Sequence, residues 1–304
     1  MRRPQKAEYD RPQQCCVCHR PMTATRTSWL FRCLNCGYLQ STLAPRIRDK
    51  DAQAAIDEGL REKALGSLRV ENFEKILDRL ATCRPQIGGQ LLDVGCAHGW
   101  FLQAAEARGY CAVGIEPDPV IYNAAKARGL HVWNGYFPQD IPDERRFDVI
   151  TFNDVLEHLP TPGAMIESCR QRLNPGGNLV INIPCSRGAF YRLARLFNRL
   201  GFSSLFDRMW QLNFASPHIS YFTPEQLVQL TAKSGFREIH RSALRAVNVR
   251  DLWARLRYDR ESSVAMSGIV FVVAAALMPF LDRLPADINL QIFLVDASKR
   301  AGQQ

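Results

Sequence analysis

The chain has no internal repeats, and outside Val264–Leu281 it has no long uncharged apolar run. Its opening, MRRPQKAEYDRPQQ, lacks the apolar core that a secretory leader needs, so the expectation is a protein that stays in a reducing compartment. It also lacks a spaced cysteine framework: of ten cysteines, five crowd into residues 15–36 and the others stand singly. That distribution excludes an oxidised disulfide scaffold and points to metal ligation in the cluster. A hydrophobic fraction of 46% with 23% charged residues excludes collagen-like and wholly disordered chains, and 304 residues correspond to about two domains.

Charge is unevenly spread within the net +9: residues 1–50 carry +7, 51–183 carry −5, 184–260 carry +8 and 261–304 carry −1. A mildly acidic body between two basic segments suggests a catalytic centre whose flanks meet something anionic. Residues 51–82 are helix formers in which Phe73, Ile76, Leu77 and Leu80 repeat at i, i+3, i+4, i+7. From 88 to 183, five apolar runs (QLLDVG, YCAVGIE, LHVW, FDVITF, GNLVINI) alternate with three helical ones (HGWFLQAAEARG, DPVIYNAAKARG, TPGAMIESCRQRL). Continuous apolar strands alternating with helices imply an α/β fold, a parallel sheet covered on both faces. Pro175-Gly176-Gly177 reads as a turn into the fifth strand. Further on, residues 187–212 are basic and amphipathic, and Thr223-Pro224-Glu225 opens a helix that Gly235 closes. REIHRSALRAVNV and DINLQIFLVDASK read as two last strands.

The string LLDVGCAHGWFLQAAEARGYCAVGIEPDP carries the chemistry. A buried strand runs into Asp93-Val94-Gly95-Cys96-Ala97-His98-Gly99 and a helix follows at once, so the glycines allow a tight turn against which a ligand can lie. The next strand ends at Glu116, 17 residues after Gly99, where a carboxylate can accept both hydroxyls of a ribose. A dinucleotide site would use G-x-G-x-x-G and take a pyrophosphate on helix amides. Asp93 at the turn would repel a diphosphate and suits a cation, and S-adenosylmethionine carries both an ammonium and a sulfonium.

On these residues the segment 90–184 resembles class I S-adenosylmethionine-dependent methyltransferases, in particular bacterial members with a cysteine-ribbon N-terminus and an H-x-x-Y-F-T segment. The family's D-x-G-x-G-x-G is met by Asp93, Gly95 and Gly99, with Ala97 in place of the middle glycine. The resemblance implies a doubly wound, mostly parallel seven-stranded sheet. It implies a donor site of Asp93, Gly95, Cys96, Ala97 and Gly99, with Glu116 on the ribose and Pro117 at the adenine. Asn134 stands where the family often has an acidic residue near the adenine, and FDVITFNDVLEHLPTP puts Asn153 and Asp154 beside the methionine moiety. His158 and His218 are the candidate bases by position, with Tyr191 a weaker third.

The expected organisation is a zinc-ribbon-like segment over 1–50, a helical connector over 51–85 and the methyltransferase domain over 86–304, with insertions at about 185–222 and 250–285. In the first segment Cys15 with Cys18, and Cys33 with Cys36, form two C-x-x-C knuckles whose thiolates can close a tetrahedral structural Zn²⁺ site. Cys16 with His19 has the same spacing, but Cys15 with Cys18 lets His19 mirror Gly37 after each knuckle. The single cysteines Cys83, Cys96, Cys111, Cys169 and Cys185 read as buried or half-buried fillers. As a helix Val264–Leu281 would reach about 27 Å, close to a bilayer core of about 30 Å. The last strand must return to the sheet, however, so the expectation is a buried, packed or interfacial helix. VRDLWARLRYDR before it, and residues 187–212, suit an anionic lipid surface on the inner face of the membrane, with a lid over the acceptor pocket as the alternative for 187–212. The expected acceptor is a hydroxyl of a sugar, a lipid-linked glycan or another small metabolite. RNA bound by the basic ribbon and a non-catalytic adaptor are the alternatives.

Overall fold

A computed structural model describes residues 11–46, 58–84, 88–247 and 284–296, with Trp253, Val264, Gly268, Phe271 and Val272 as isolated positions between them. The sequence expectations for VRDLWARLRYDR and for Val264–Leu281 therefore lie outside the described residues, those isolated positions apart.

The central sheet has seven strands: β4 (Gln90–Val94), β5 (Cys111–Glu116), β6 (Val132–Asn134), β7 (Phe147–Asn153), β8 (Leu173–Pro184), β10 (Phe236–Leu244) and β11 (Ile288–Val295). Their order is β10-β11-β8-β7-β4-β5-β6, with β11 antiparallel to both neighbours and the remaining pairs parallel. The doubly wound, mostly parallel sheet of the sequence reading is what forms. The order reverses beside β4, and at such a point the loops leaving the strands diverge and open a crevice.

Helices α2 (Trp100–Ala107) and α3 (Pro119–Ala127) follow β4 and β5, and α4 (Pro162–Arg172) follows β7. The long α1 (Glu58–Cys83) precedes β4 and buries Phe73, Ile76, Leu77 and Leu80 in one cluster with Leu91, Phe101 and Val149. Each such side chain contributes roughly 1.5–3 kcal/mol, and the face that the i, i+3, i+4, i+7 spacing marks is the one that packs. The Pro175-Gly176-Gly177 turn lies inside β8. Leu173 already pairs with Phe147, the register shifts, and pairing resumes at Asn178. The glycines make an irregularity in a strand begun two residues earlier, because Gly176 takes a positive φ of 72° there.

The N-terminal segment forms β1 (Met22–Ala24), β2 (Leu30–Cys33) and β3 (Leu39–Ser41), an antiparallel ribbon. It is sewn into the body. β3 pairs with β9 (Ser220–Tyr221), the Tyr38 hydroxyl lies 2.6 Å from Ser220 Oγ, and Gln226 Nε2 donates to the Cys36 carbonyl at 2.8 Å. Gln226 belongs to α7 (Pro224–Lys233), whose N-terminus closes in a reciprocal bond between Thr223 and Gln226. α5 (Ala189–Arg199) and α6 (Ser204–Met209) cover the other face of the ribbon, with Trp29, Tyr191, Phe206 and Trp210 in one aromatic cluster. All ten cysteines are free thiols; Cys111, expected to be at least half-buried, is exposed on the edge of β5.

Candidate functional site

A cavity of about 990 Å³ opens at the carboxyl ends of β4, β5 and β7. Asp93, Gly95, Cys96, Ala97, Glu116, Pro117, Asn153, Asp154 and His158 all line it. One turn brings most of them together. After β4 the backbone passes through positive φ at Gly95 (69°), Ala97 (46°) and Gly99 (78°), and Gly99 is the N-cap of α2. A Cβ on Gly95 would stand 2.8 Å from Val155 Cγ2, so glycine is required there both by conformation and by space. Gly99 supports the turn from beneath and does not line the cavity.

Two carboxylates dominate the electrostatics. Asp93, 2% exposed, accepts hydrogen bonds at Oδ1 from the Thr151 hydroxyl (2.6 Å) and from Asn153 Nδ2 (2.9 Å). Burial nevertheless pushes its pKa up to about 7. Glu116 is held by two backbone amides: Ala97 N–H donates to Oε2 (3.0 Å) and Asp118 N–H to Oε1 (2.9 Å). Its pKa is also raised to about 7 by burial, with Asp118 and Asp93 adding to the rise against those amide bonds. Two buried acids in one cavity, each held above the carboxylate range, are an arrangement that a cationic ligand bearing hydroxyl donors would relieve. The donor set thus fits S-adenosylmethionine.

Asn134 does not line the cavity. Its Nδ2 donates to the Glu116 carbonyl at 2.9 Å, and Gly135, Tyr136 and Phe137 form that wall in its place. A side chain at the end of β6 is drawn back to β5 because the two strands pair only as far as Asn134. Sequence reasoning also missed His98, Trp100, Asp118, Val120 and Ile121 on the donor side, and Arg46, Arg69, Gln211 and Phe214 toward the mouth. The first group is adjacent to the motifs already singled out, and the apolar residues just past Glu116 were a usable signal. The second comes from the ribbon, α1 and the α6–β9 loop, which only folding brings over the cavity.

The histidines part company. His158 ends a short 3₁₀ turn (Leu156–His158) and lines the cavity. Its Nδ1 lies 2.9 Å from the Pro217 carbonyl, an acceptor, so in the neutral ring Nδ1 carries the proton and Nε2 the lone pair. His218 sits behind it, buried, with ring centroids 4.8 Å apart, and does not line the cavity. The Tyr221 hydroxyl donates to the Met209 carbonyl, so His218 Nδ1 donates to that hydroxyl (3.2 Å) and Nε2 accepts from Gln211 (2.9 Å). Burial and the neighbouring His158 hold the His218 pKa well below the usual histidine value. It is a neutral packing histidine, as its burial against Tyr221 requires. Tyr191 is buried in the aromatic cluster and is likewise outside the cavity.

Glu157, 1% exposed, has no hydrogen-bond partner at either carboxylate oxygen, and its Oε1 lies 3.9 Å from His158 Nε2. Burial and Asp154 raise its pKa well above the usual value. Single donor atoms of Glu157, His158 and His218 all lie within 4.8 Å of one another, so this trio could also hold a cation.

The second candidate centre is in the ribbon. Sγ atoms of Cys15, Cys18, Cys33 and Cys36 converge within 4.8 Å, with Cys15···Cys36 at 3.5 Å and Cys18···Cys33 at 3.4 Å. Four sulfurs at about 2.3 Å from a tetrahedral zinc would be roughly 3.8 Å apart, so the set fits that ion. His19 (φ 58°) and Gly37 (φ 79°) turn the chain identically after each knuckle, and their amides donate to the Cys15 and Cys33 carbonyls. Cys16 is left outside the cluster.

A family model described as a methyltransferase domain matches residues 66–241. Over 98 residues the chain is 36% identical to a ubiquinone biosynthesis O-methyltransferase of Coxiella burnetii, covering 30% of this chain and 42% of that protein. A protein of the same name from Xylella fastidiosa is 32% identical over 113 residues, 35% of this chain and 46% of its own length. The match thus spans less than half the length of these curated relatives. Among solved structures, the [4+2]-cyclase SpnF is similar with a TM-score of 0.54 at 16% identity, over 83% of this chain and 98% of that one. The cyclopropane synthase MmaA2 from Mycobacterium tuberculosis is similar with a TM-score of 0.51 at 16% identity, over 83% and 88%. Likeness at that identity is a likeness of fold. With the family match over more than half of its length, this chain belongs to the class I S-adenosylmethionine-dependent methyltransferases.

Proposed function

We propose that this protein transfers the methyl group of S-adenosylmethionine to a hydroxyl oxygen of a small acceptor, a sugar, lipid-linked glycan or other metabolite. The observation that carries this reading is that one cavity holds the acids Asp93 and Glu116 together with His158, whose Nδ1 is tied to the Pro217 carbonyl at 2.9 Å. Bound donor supplies a carbon already activated by positive sulfur. The chain supplies alignment and a place for the proton. Glu116 accepts the ribose hydroxyls, Asp93 faces the cationic amino-acid end, and Gly95–Ala97 let the donor lie against backbone. Tyr136, Phe137 and Ile121 form an apolar wall for the adenine. An acceptor hydroxyl bound beside the donor in this cavity would give up its proton to His158 Nε2. His218 packs behind the His158 ring as a positioning residue. The names of the curated O-methyltransferase relatives support a small hydroxyl acceptor.

Zn²⁺ in the four-cysteine cluster is the structural metal of this reading. It secures a ribbon whose end, Pro45 and Arg46, forms part of the cavity mouth. On this reading the protein lies in the cytoplasm, on the inner face of a membrane that the basic, amphipathic residues 187–212 would meet. No helix among the described residues is long and apolar enough to cross a membrane.

The test is methyl labelling of fractionated cell extract with donor carrying a labelled methyl group. Label entering a small metabolite or glycolipid, lost in His158→Ala and kept in His218→Gln, is expected. Label entering RNA would replace the acceptor class. Absence of any turnover together with intact donor binding would leave an adaptor.

A further inference from the structure

Helix α5 divides its surface in three. Tyr191 and Ala194 are buried, and Asn198 on the same side reaches Thr27. Leu193, Leu196, Phe197 and Leu200 recur at i, i+3, i+4, i+7 on a face turned away from the body, roughly 140° from the buried one at 100° per residue. Leu196 is 53% and Leu200 65% exposed, and the apolar surface continues through Phe202, 67% exposed, to Leu205. Arg192, Arg195 and Arg199 run along the edge between these faces.

Beside that edge lies a second cavity of about 510 Å³, between the ribbon and the β8–α5 turn. It shares no residue with the donor cavity, and Arg32, Arg187, Arg192 and Arg195 line it. Arg187 is paired with Glu225 at 2.8 Å, but no carboxylate among the described residues pairs with Arg32, Arg192 or Arg195. Burial and the neighbouring guanidinium groups of Arg199, Arg32 and Arg192 hold Arg195 below the usual arginine range. Cations gathered around a cavity with so little negative charge call for an anion. The apolar face one helix radius away calls for an apolar cover. A phospholipid bilayer with anionic headgroups supplies both in the same relative position.

We propose that α5 and the turn leading to α6 seat this protein on an anionic phospholipid surface, with Leu193, Leu196, Leu200 and Phe202 among the acyl chains and a lipid phosphate in the arginine cavity. This gives residues to the membrane location inferred above and is independent of donor binding. Arginine recognises the phosphate as a fork of donors. Zwitterionic lipid offers the same phosphate behind an ammonium, so binding should discriminate by net headgroup charge.

The experiment is vesicle flotation with the full chain, using phosphatidylcholine alone and phosphatidylcholine mixed with phosphatidylglycerol. Binding to the mixed vesicles and much weaker binding to the neutral ones is expected, falling as salt rises. Arg192→Ala with Arg195→Ala should weaken it roughly five-fold per arginine, about thirty-fold together. Leu196→Asp with Leu200→Asp should abolish it. Donor affinity measured on the same preparations should not change, which separates failure of this surface from failure of the donor site. Should a variant fold poorly, the salt and headgroup dependence of the wild type decides the matter. Equal binding to both vesicles, or none to either, overturns the proposal. So does inorganic phosphate binding without vesicle binding, or a wild-type dimer that the Leu196→Asp, Leu200→Asp variant breaks while vesicles are ignored.

Discussion

Protonation of Asp93 and Glu116 should control donor affinity across neutral pH. Both pKa values stand at about 7 in the ligand-free protein, raised chiefly by burial from ordinary values near 4. The cationic, hydroxyl-bearing donor favours the ionised forms, so binding must expel whatever protons they carry. A group with a pKa of 7 is about nine-tenths ionised at pH 8 and about one-tenth at pH 6, a tenfold loss of affinity for each carboxylate that must ionise. Between pH 8 and pH 6 the dissociation constant should therefore rise between about ten- and a hundredfold, the two acids titrating as a coupled pair. Isothermal titration at several pH values, in buffers of different ionisation enthalpy, reads both the affinity and the protons released. Asp93→Asn removes one titrating group, so its pH dependence should be shallower by up to tenfold. The donor's own ammonium titrates equally in both proteins and cancels in the comparison. The same shift carries a stability sign. A carboxylate raised in the folded state costs stability fully above its folded pKa, and the cost disappears as pH falls toward its unfolded pKa. For Asp93 a rise from 3.8 to about 7 corresponds to roughly 4 kcal/mol at most. Asp93→Asn should thus raise the melting temperature of the ligand-free protein at pH 8 while weakening donor binding. An affinity flat from pH 6 to 8 with no proton release would refute the electrostatic reasoning, as would a variant that binds the donor as well as wild type.

Further outcomes follow from single contacts. Glu116→Ala should weaken donor binding by on the order of a hundredfold, since hydrogen bonds to a charged acceptor contribute about 1.5–3 kcal/mol each; equilibrium titration checks it. Gly95→Ala should lower stability by roughly 1–3 kcal/mol, and Val155→Ala, which removes the atoms 2.8 Å from the new Cβ, should recover part of the loss in a denaturant titration. His158→Ala should reduce turnover by about a hundredfold or more with little change in donor affinity, and it should remove the acidic limb of the pH–rate profile, where protonation of the base lowers the rate. Elemental analysis should find one zinc per chain, lost in Cys36→Ser together with a fall in melting temperature. Because Pro45 and Arg46 line the cavity mouth, that variant should also raise KM for the acceptor more than it weakens donor binding.

Most of the sheet and the donor half of the site could be read in the sequence because both depend on local spacing. A parallel strand covered on both faces is a continuous apolar run, and Asp93, Gly95 and Glu116 sit where such runs end. Residue type and distance along the chain fix where they stand, which is why the sequence already gathers them at one crevice. The cysteine knuckles were legible for the same reason: two short local turns place four thiols, whatever surrounds them. What needed tertiary structure was every contact between segments distant in sequence. Asn134 turned back to the strand beside it because β5 and β6 pair that far. His158 and His218 look alike in the sequence, and they parted because β9 pairs with the ribbon and buries one behind the other. The ribbon looked like a separate unit because its joins to the body, Tyr38 to Ser220 and Cys36 to Gln226, bridge more than 180 positions and leave no periodic trace. Local periodicity records what a segment buries. It does not record against what, and in this protein that second fact decided which histidine faces the cavity and where the arginines gather.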